Sequence, residues 1–512
     1  MEAECRFPIP HTSLLGCDTF PLPLTGMEQF WLWDDSAEYP KRFRVALQFV
    51  GAIDWNAWNE ALRIAVARHP MLVANLSASK PLQWIIPPDP VIKVCWGKGD
   101  FGTSPFQAEM NLKTEAGLRV WGGAVDETHP NAKPAAGLIN TEPMALATGA
   151  IGQTVAESKP LASVIGSVMD MARYFFVVEC HHAVSDGLGL RQCVAEWILI
   201  YDRLTAKGDT KGKLVTLDPS RLANRGLIKR LPPTADSRPP TLLESIKLSY
   251  LFLGLFPKTL ASPIASKPSQ TKSQSHIHRV CVLSPEETQK VLNAEGVGSA
   301  TFNDLAVAAV LKLVHDWNQR LSIPKNSGKP LKAQRLRVMI PVDLRSIQDM
   351  RMPAANRLGF GFVVADSKTC SDRQTLIKRV YEQTKALRQF GLGWDFPEIF
   401  NSLSRIPMLA KWIPRIPLNG ATAVVTNLGD LTRRHRRQLA AMEDLYPRCG
   451  DLKLEAVFCV PPLRPKTLMG IGLCRCGDTL AIGLILDGHR FSETDANELL
   501  KCYVQTLVAS SK

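Results

Sequence analysis

Tyr174-Phe175-Phe176-Val177-Val178-Glu179-Cys180-His181-His182-Ala183-Val184-Ser185-Asp186-Gly187-Leu188-Gly189 sets two histidines, an aspartate and two glycines between two kinds of hydrophobic pattern. Residues 174 to 180 are aromatic and β-branched, which predicts a buried strand. Beyond the glycines, Leu190, Val194, Trp197, Ile198 and Tyr201 recur at helical spacing. The polar residues therefore occupy a strand-to-helix turn, where a side chain is held rigidly by the strand while its tip stays open to a ligand. His182 is the candidate base, because an imidazole titrates near neutral pH and takes a proton from a hydroxyl or amine. Asp186 is expected to orient it or the loop. Gly187 is expected to supply a positive φ or a close backbone approach. No zinc-motif partner sits at helical i+4 from either histidine, so the sequence predicts no metal here. A packed core histidine remains the plain alternative.

The bulk of the chain sets limits. Its 512 residues, 45% hydrophobic and 21% charged, are enough for two substantial cores. A net charge of +13 favours acidic partners in general, including nucleic acid, anionic lipid headgroups and CoA phosphates, and does not choose among them. No nucleic-acid module is recognisable, and the run Arg433-Arg434-His435-Arg436-Arg437 reads as a solvated loop. The twelve cysteines are scattered, with Cys180, Cys281 and Cys459 in strand-like apolar runs, a usage that fits a reduced compartment. Met1-Glu2-Ala3-Glu4-Cys5 has acids where a signal peptide needs bases, and no apolar run reaches the roughly 18 to 20 residues of a membrane span. The expected location is cytoplasmic, with peripheral contact at a membrane or lipid surface as the variant reading.

Along the chain, Leu24 to Trp33 begins a short helix and Phe43 to Val50 a strand; Asp54 caps a helix bearing Trp58, Leu62, Ala65 and Val66 and ending at Arg68-His69-Pro70. His69 is expected to be structural. Strands are predicted at 71–76, 82–86 and 117–125, whereas 100–165 is otherwise poorly patterned. From about 204 the composition shifts to Lys, Pro, Ser and Thr. Inside that stretch the apolar segment 242–256 reads as a helix packed on the body, with an interfacial helix touching lipid as the alternative. The strand pattern restarts at His276, and Ser284-Pro285-Glu286-Glu287 is a strong helix start. Further helices are predicted after Thr301 and over 372–390 and 492–508, and further strands at Leu336–Arg345, 356–364, 421–429, 452–460, 468–474 and 480–486.

The pattern His181-His182-x-x-x-Asp186-Gly187 resembles the His-His-x-x-x-Asp-Gly motif of the CoA-dependent acyltransferase superfamily. That superfamily includes chloramphenicol acetyltransferase, peptide synthetase condensation domains, wax ester synthase/diacylglycerol acyltransferases and polyketide-associated acyltransferases. Shorter segments in the family's order extend the resemblance over most of the chain: Arg68-His69-Pro70, Thr301-Phe302-Asn303-Asp304, Pro341 to Arg345, Asn356 to Gly359, Thr426-Asn427-Leu428-Gly429 and Asp487-Gly488-His489.

The resemblance implies an α/β (α+β) fold of two chloramphenicol acetyltransferase-like subdomains, each a mixed sheet with flanking helices, meeting at a V-shaped cleft crossed by a tunnel. The expected division is 1–204, carrying the motif, a connector over 205–275, and 276–512. It further implies an acyltransferase in which His182 acts as general base, with acyl-CoA or an acyl-phosphopantetheine thioester as co-substrate and no bound cofactor. Expected partners are that donor, an alcohol or amine acceptor, and an acyl carrier protein. Asp186 is then implied to pair with Arg345 across the halves, shaping the turn rather than moving protons. Asn356, Thr426 and Asn427 would line the tunnel, with the Thr426 hydroxyl donating to an oxyanion. Any polar residue ending a strand would look like Thr426. A catalytically silent binding or docking domain is the reading from another class, since fold alone does not assign function. No Gly-x-Ser-x-Gly elbow is present, which argues against a serine hydrolase.

Overall fold

The computed structural model describes residues 6–97, 99–106, 108–125, 172–206, 214–227, 260–266, 276–293, 299–322, 335–403, 420–431 and 446–509. The apolar segment 242–256, the basic run 433–437 and residues 126–165 lie outside these described residues. Two mixed sheets carry the fold. The first runs in the order Arg6–Pro8, Val91–Trp96, Leu118–Ala124, Arg173–His181, Arg42–Gly51, Leu452–Val460, Arg448–Cys449. Its strands pair antiparallel except Val91–Trp96 with Leu118–Ala124. The second runs Leu358–Asp366, Arg335–Asp343, Ala423–Asp430, Met469–Cys476, Thr479–Asp487, His276–Val282, with Ala423–Asp430 parallel to both neighbours. The chain is thus α/β, with two sheet-and-helix halves.

Each sheet buries one face under helices whose apolar positions recur at helical spacing. The helices Trp55–Ala67 and Gly187–Thr205 cover the first, their Trp58 and Trp197 rings meeting at 4.3 Å. Phe302–Ser322, Arg373–Gln389 and Glu493–Ala509 cover the second. A third apolar cluster, including Ala46, Val177, Phe458, Ala481 and Ile485, joins the other faces of the two sheets. There the second sheet carries a notch: Gly472 and Gly483 are register partners, and a Cβ on either would fall 2.0 or 2.3 Å from the Cys459 carbonyl oxygen. Only hydrogen at those positions lets the backbones approach so closely.

The sheets do not follow the sequence division at 204 and 276. Arg448–Cys449 and Leu452–Val460 leave the second half and complete the first sheet, with Leu452–Val460 covering the edge of Arg42–Gly51. An open edge strand exposes unpaired N–H and C=O groups, and this crossover satisfies them. Two local expectations also change. The strand predicted at 71–76 is a 3-10 turn, Pro70–Val73, followed by a two-residue strand, because Pro70 at its start has no N–H to give to a ladder. The strand predicted to reach Arg345 ends at Asp343. Among the described residues, no helix is long and apolar enough to cross a membrane.

Candidate active site

The 173–181 strand pairs with Arg42–Gly51 up to Arg42 opposite His181, and the His182 N–H donates to the Lys41 carbonyl at 2.8 Å. His182 is therefore the first residue past the strand, still tied to its neighbour. The Asn356 amide Nδ2 donates to the His182 carbonyl at 2.6 Å from the opposite half, fixing the backbone on the other side. Its ring is clamped between aromatics, stacked on Trp31 at 4.3 Å and 12° and tilted against Phe43 at 4.6 Å. Burial pushes the imidazole down to about 3; the Asp186 charge offsets only part of this, and His181 and Lys41 oppose protonation further. His182 is thus a neutral, rigid imidazole. It lines a cleft of about 900 Å³, open mouth included, whose walls come from both sheets and are mostly apolar, with Thr426 and Arg464 among the polar exceptions.

Trp31 reaches the ring because of a buried anchor. Thr25 and Glu28 form a reciprocal capping box that starts the helix Gly26–Asp34. Glu28, fully buried, also accepts from Trp84 Nε1 at 3.0 Å and takes two hydrogen bonds from Arg225. At the other end of that helix, Asp34 pairs with Arg464 at 2.6 Å and Lys41 at 3.5 Å. The sequence displays the capping box but not what Trp31 packs on, since the contact joins residues 151 positions apart by simple subtraction.

Asp186 does not touch the base. Its carboxylate caps the 187–205 helix through Gly189 N–H at 2.8 Å and accepts from the Arg357 N–H at 2.7 Å. It also takes two hydrogen bonds from Arg345, each 2.9 Å. Burial alone would raise this carboxyl; the Arg345 charge and the hydrogen bonds overcome that and hold it below the usual range. Arg345 also donates to the Ala355 carbonyl at 2.8 Å, so the ion pair ties the turn to residues 345–357.

His181 is accounted for by the turn. Its Nδ1 accepts from Ala183 N–H at 3.1 Å, and its Nε2 lies 3.4 Å from Asp35 Oδ2, beneath the same helix end that bears Asp34. Gly187 does not have a positive φ; a Cβ there would press on Leu428 Cδ2 at 2.7 Å. The stricter position is Gly189, which sequence reasoning passed over: a Cβ would sit 3.0 Å from both backbone N and O of Ala355 and 2.4 Å from Ser185 Oγ. His69 likewise bridges the halves, its Nδ1 accepting from Ala354 N–H at 2.9 Å.

From the second half, Thr426 lines the cleft with His182. Asn427 also lines it, but its side chain is engaged, Nδ2 donating to Asn303 Oδ1 at 2.6 Å and Oδ1 accepting from Gly429 N–H at 2.7 Å. Asn356 lies on a separate small pocket shared with Arg225 and Arg357, not on the main cleft.

Two sheet-and-helix halves with a cleft walled by both are the fold of acyltransferases and condensation domains, and this chain has that fold. It is similar to trichothecene 15-O-acetyltransferase from Fusarium sporotrichioides at 11% identity and a TM-score of 0.56, covering 98% of this chain and 99% of that one. It is similar to the first condensation domain of the calcium-dependent antibiotic synthetase, solved with a substrate analogue, at 14% identity and a TM-score of 0.57, covering 96% of each. The starter condensation domain of rhizomide synthetase, solved as a mutant in complex with C8-CoA, matches at 11% identity and 0.56, over 96% of this chain and 95% of that one. No protein-family model and no curated protein matches the sequence.

Proposed function

We propose that the chain is an acyltransferase that moves an acyl group from a thioester, presented by CoA or by the phosphopantetheine of a carrier protein, to a hydroxyl or amine acceptor. The observation that carries this reading is His182: a neutral imidazole clamped by Trp31 and Phe43 at the wall of a largely apolar cleft, with its backbone held from both halves. Such a ring takes the acceptor's proton as the acceptor attacks the thioester carbonyl carbon, then returns it to the departing thiolate as the carbon–sulfur bond breaks. No covalent enzyme intermediate is required. Thr426, on the same cleft, supplies a hydroxyl for the developing oxyanion. Asp186 and Arg345 act by holding the turn.

The apolar walls favour an acyl chain or a hydrophobic acceptor over a charged one, because a charge there would lose hydration without a partner. The likeness in fold to an acetyltransferase and to a condensation domain solved with C8-CoA supports a thioester donor. The test is thiol release from a panel of acyl-CoAs, first with a pool of alcohols and then of amines, with product identified by mass spectrometry. Acceptor-dependent thiol release that disappears in His182→Ala supports the proposal. Release that persists undiminished in that variant refutes it.

A further inference from the structure

Trp31 does more than clamp His182. Its side chain is 2% exposed, it forms part of the cleft wall, and its indole Nε1 has no hydrogen-bond partner among the described residues. Five other indoles among the described residues are satisfied: Trp84 donates to Glu28, Trp96 to Asn59, Trp121 to the Asp100 carbonyl, Trp197 to the Trp58 carbonyl and Trp317 to the Ile264 carbonyl. Trp58 also lacks a partner, but it is enclosed by Phe176, Trp197 and Tyr201 and does not line the cleft. A buried donor left unmade is costly, and the folded chain retains this one beside the base.

We infer that the Trp31 Nε1–H is an oxyanion donor, making its hydrogen bond to the thioester carbonyl oxygen as that oxygen becomes negative. The inference rests on the acyl-transfer reading above. In the step, the acceptor oxygen or nitrogen bonds to the carbonyl carbon, its proton passes to His182, and the carbonyl π pair moves onto oxygen. The tetrahedral adduct then collapses, the carbon–sulfur bond breaks, and the thiolate leaves with the proton from His182. Trp31 donates to the oxyanion from the first half while Thr426 donates from the second, so the two donors would be brought together only when the halves are. The ring has a second effect. When His182 takes the proton it becomes a cation stacked on an indole face at 4.3 Å, a favourable pairing in a desolvated site. The donor and the face belong to one side chain, and the two contributions are separable.

Replacing Trp31 by β-(3-benzothienyl)alanine, which keeps the bicyclic shape and puts sulfur where the N–H was, removes the donor alone; Trp31→Phe is the genetically encoded counterpart. For the benzothienyl variant, kcat is expected to fall about 10²-fold with KM changed less than about threefold, as for loss of one oxyanion donor, and with an unchanged melting temperature; Trp31→Phe, which also vacates the volume of one ring, is expected to lose as much activity with a lowered melting temperature. Trp31→Leu loses the stacked face as well and is expected to fall further. The donor role is overturned if the benzothienyl variant turns over within about threefold of the native chain. His182→Ala, run alongside, separates the failures. If it stays active, the acyl-transfer reading itself is wrong; if it is dead while the benzothienyl variant is normal, only the role given to Trp31 falls.

Discussion

Arg345 meets Asp186 through two parallel hydrogen bonds, Nη1 to Oδ2 and Nη2 to Oδ1, both 2.9 Å, across 159 residues of sequence. Both side chains are buried, 8% and 1% exposed, and the aspartate's remaining capacity goes to the backbone N–H groups of Gly189 and Arg357. The pair is therefore a strut between the helix start at 187 and the loop before Leu358, and it holds the turn that bears the base. Removing Arg345 strands the Asp186 charge in a dry site, whereas Arg345 without Asp186 keeps Asp343 Oδ1 at 3.1 Å. Arg345→Ala is expected to cost about 3 to 5 kcal/mol of stability and Asp186→Ala less, both seen as a fall in melting temperature. A melting temperature equal to that of the native chain in both variants would contradict the strut.

His182→Ala is expected to abolish acyl transfer while keeping the fold. The imidazole Nδ1 has no hydrogen-bond partner among the described residues, and the ring is neutral, so its loss leaves no stranded charge. The packing between Trp31 and Phe43 is what is given up. Turnover measured together with circular dichroism distinguishes a dead but folded variant from an unfolded one.

Acid has a signed effect. The folded pKa of His182 is about 3, against an ordinary 6.5, because burial disfavours the charged ring. Between those values the unfolded chain binds a proton that the folded chain refuses, so stability falls as pH drops below 6.5, by up to about 1.4 kcal/mol per pH unit from this group. His182→Gln should lessen the fall of melting temperature with acid over about pH 6.5 to 5 without abolishing it, since burial also lowers His276 and His278. For the native chain the acid limb of kcat/KM should lie well below pH 6.5, and a limb at an ordinary histidine value would show that the ring is not desolvated in solution.

The two glycines of the turn are expected to differ. Gly189→Ala drives a methyl against the Ala355 backbone, which cannot rotate away, and should cost about 1 to 3 kcal/mol. Gly187→Ala meets only the end of the Leu428 side chain, which can shift, but Leu428 lines the cleft. Its stability cost should be smaller and its effect should appear in KM. Thermal melts of the two variants side by side test the order.

Thr426→Val removes a hydroxyl and keeps the branched shape, so a loss of about 10²-fold in kcat with little change in KM is expected if it donates to the oxyanion. Thr426→Ser should retain most activity. Equal rates for Val and Ser would show that the hydroxyl only finishes a strand.

The sequence alone determined that residues 174 to 201 are a strand, a polar turn and a helix, because their apolar spacing changes from a strand run to helical periodicity within one turn, and spacing is a local property. It also displayed His182 as the candidate base, and the family-like segments that the resemblance drew together, Asp186 with Arg345 among them. It did not display Trp31 as the partner of His182, Gly189 as the tighter glycine, or His69 as a bridge to Ala354. These depend on which surfaces meet after folding, and no local pattern encodes a meeting between residues 31 and 182. Leu452–Val460 shows the same limit on a larger scale. Its buried-strand composition was legible, but which sheet it would join was not, since either free edge offers the same backbone hydrogen bonds. The choice was made by packing, where the Gly472 and Gly483 notch lets the strand's Cys459 carbonyl sit against the second sheet while its edge completes the first.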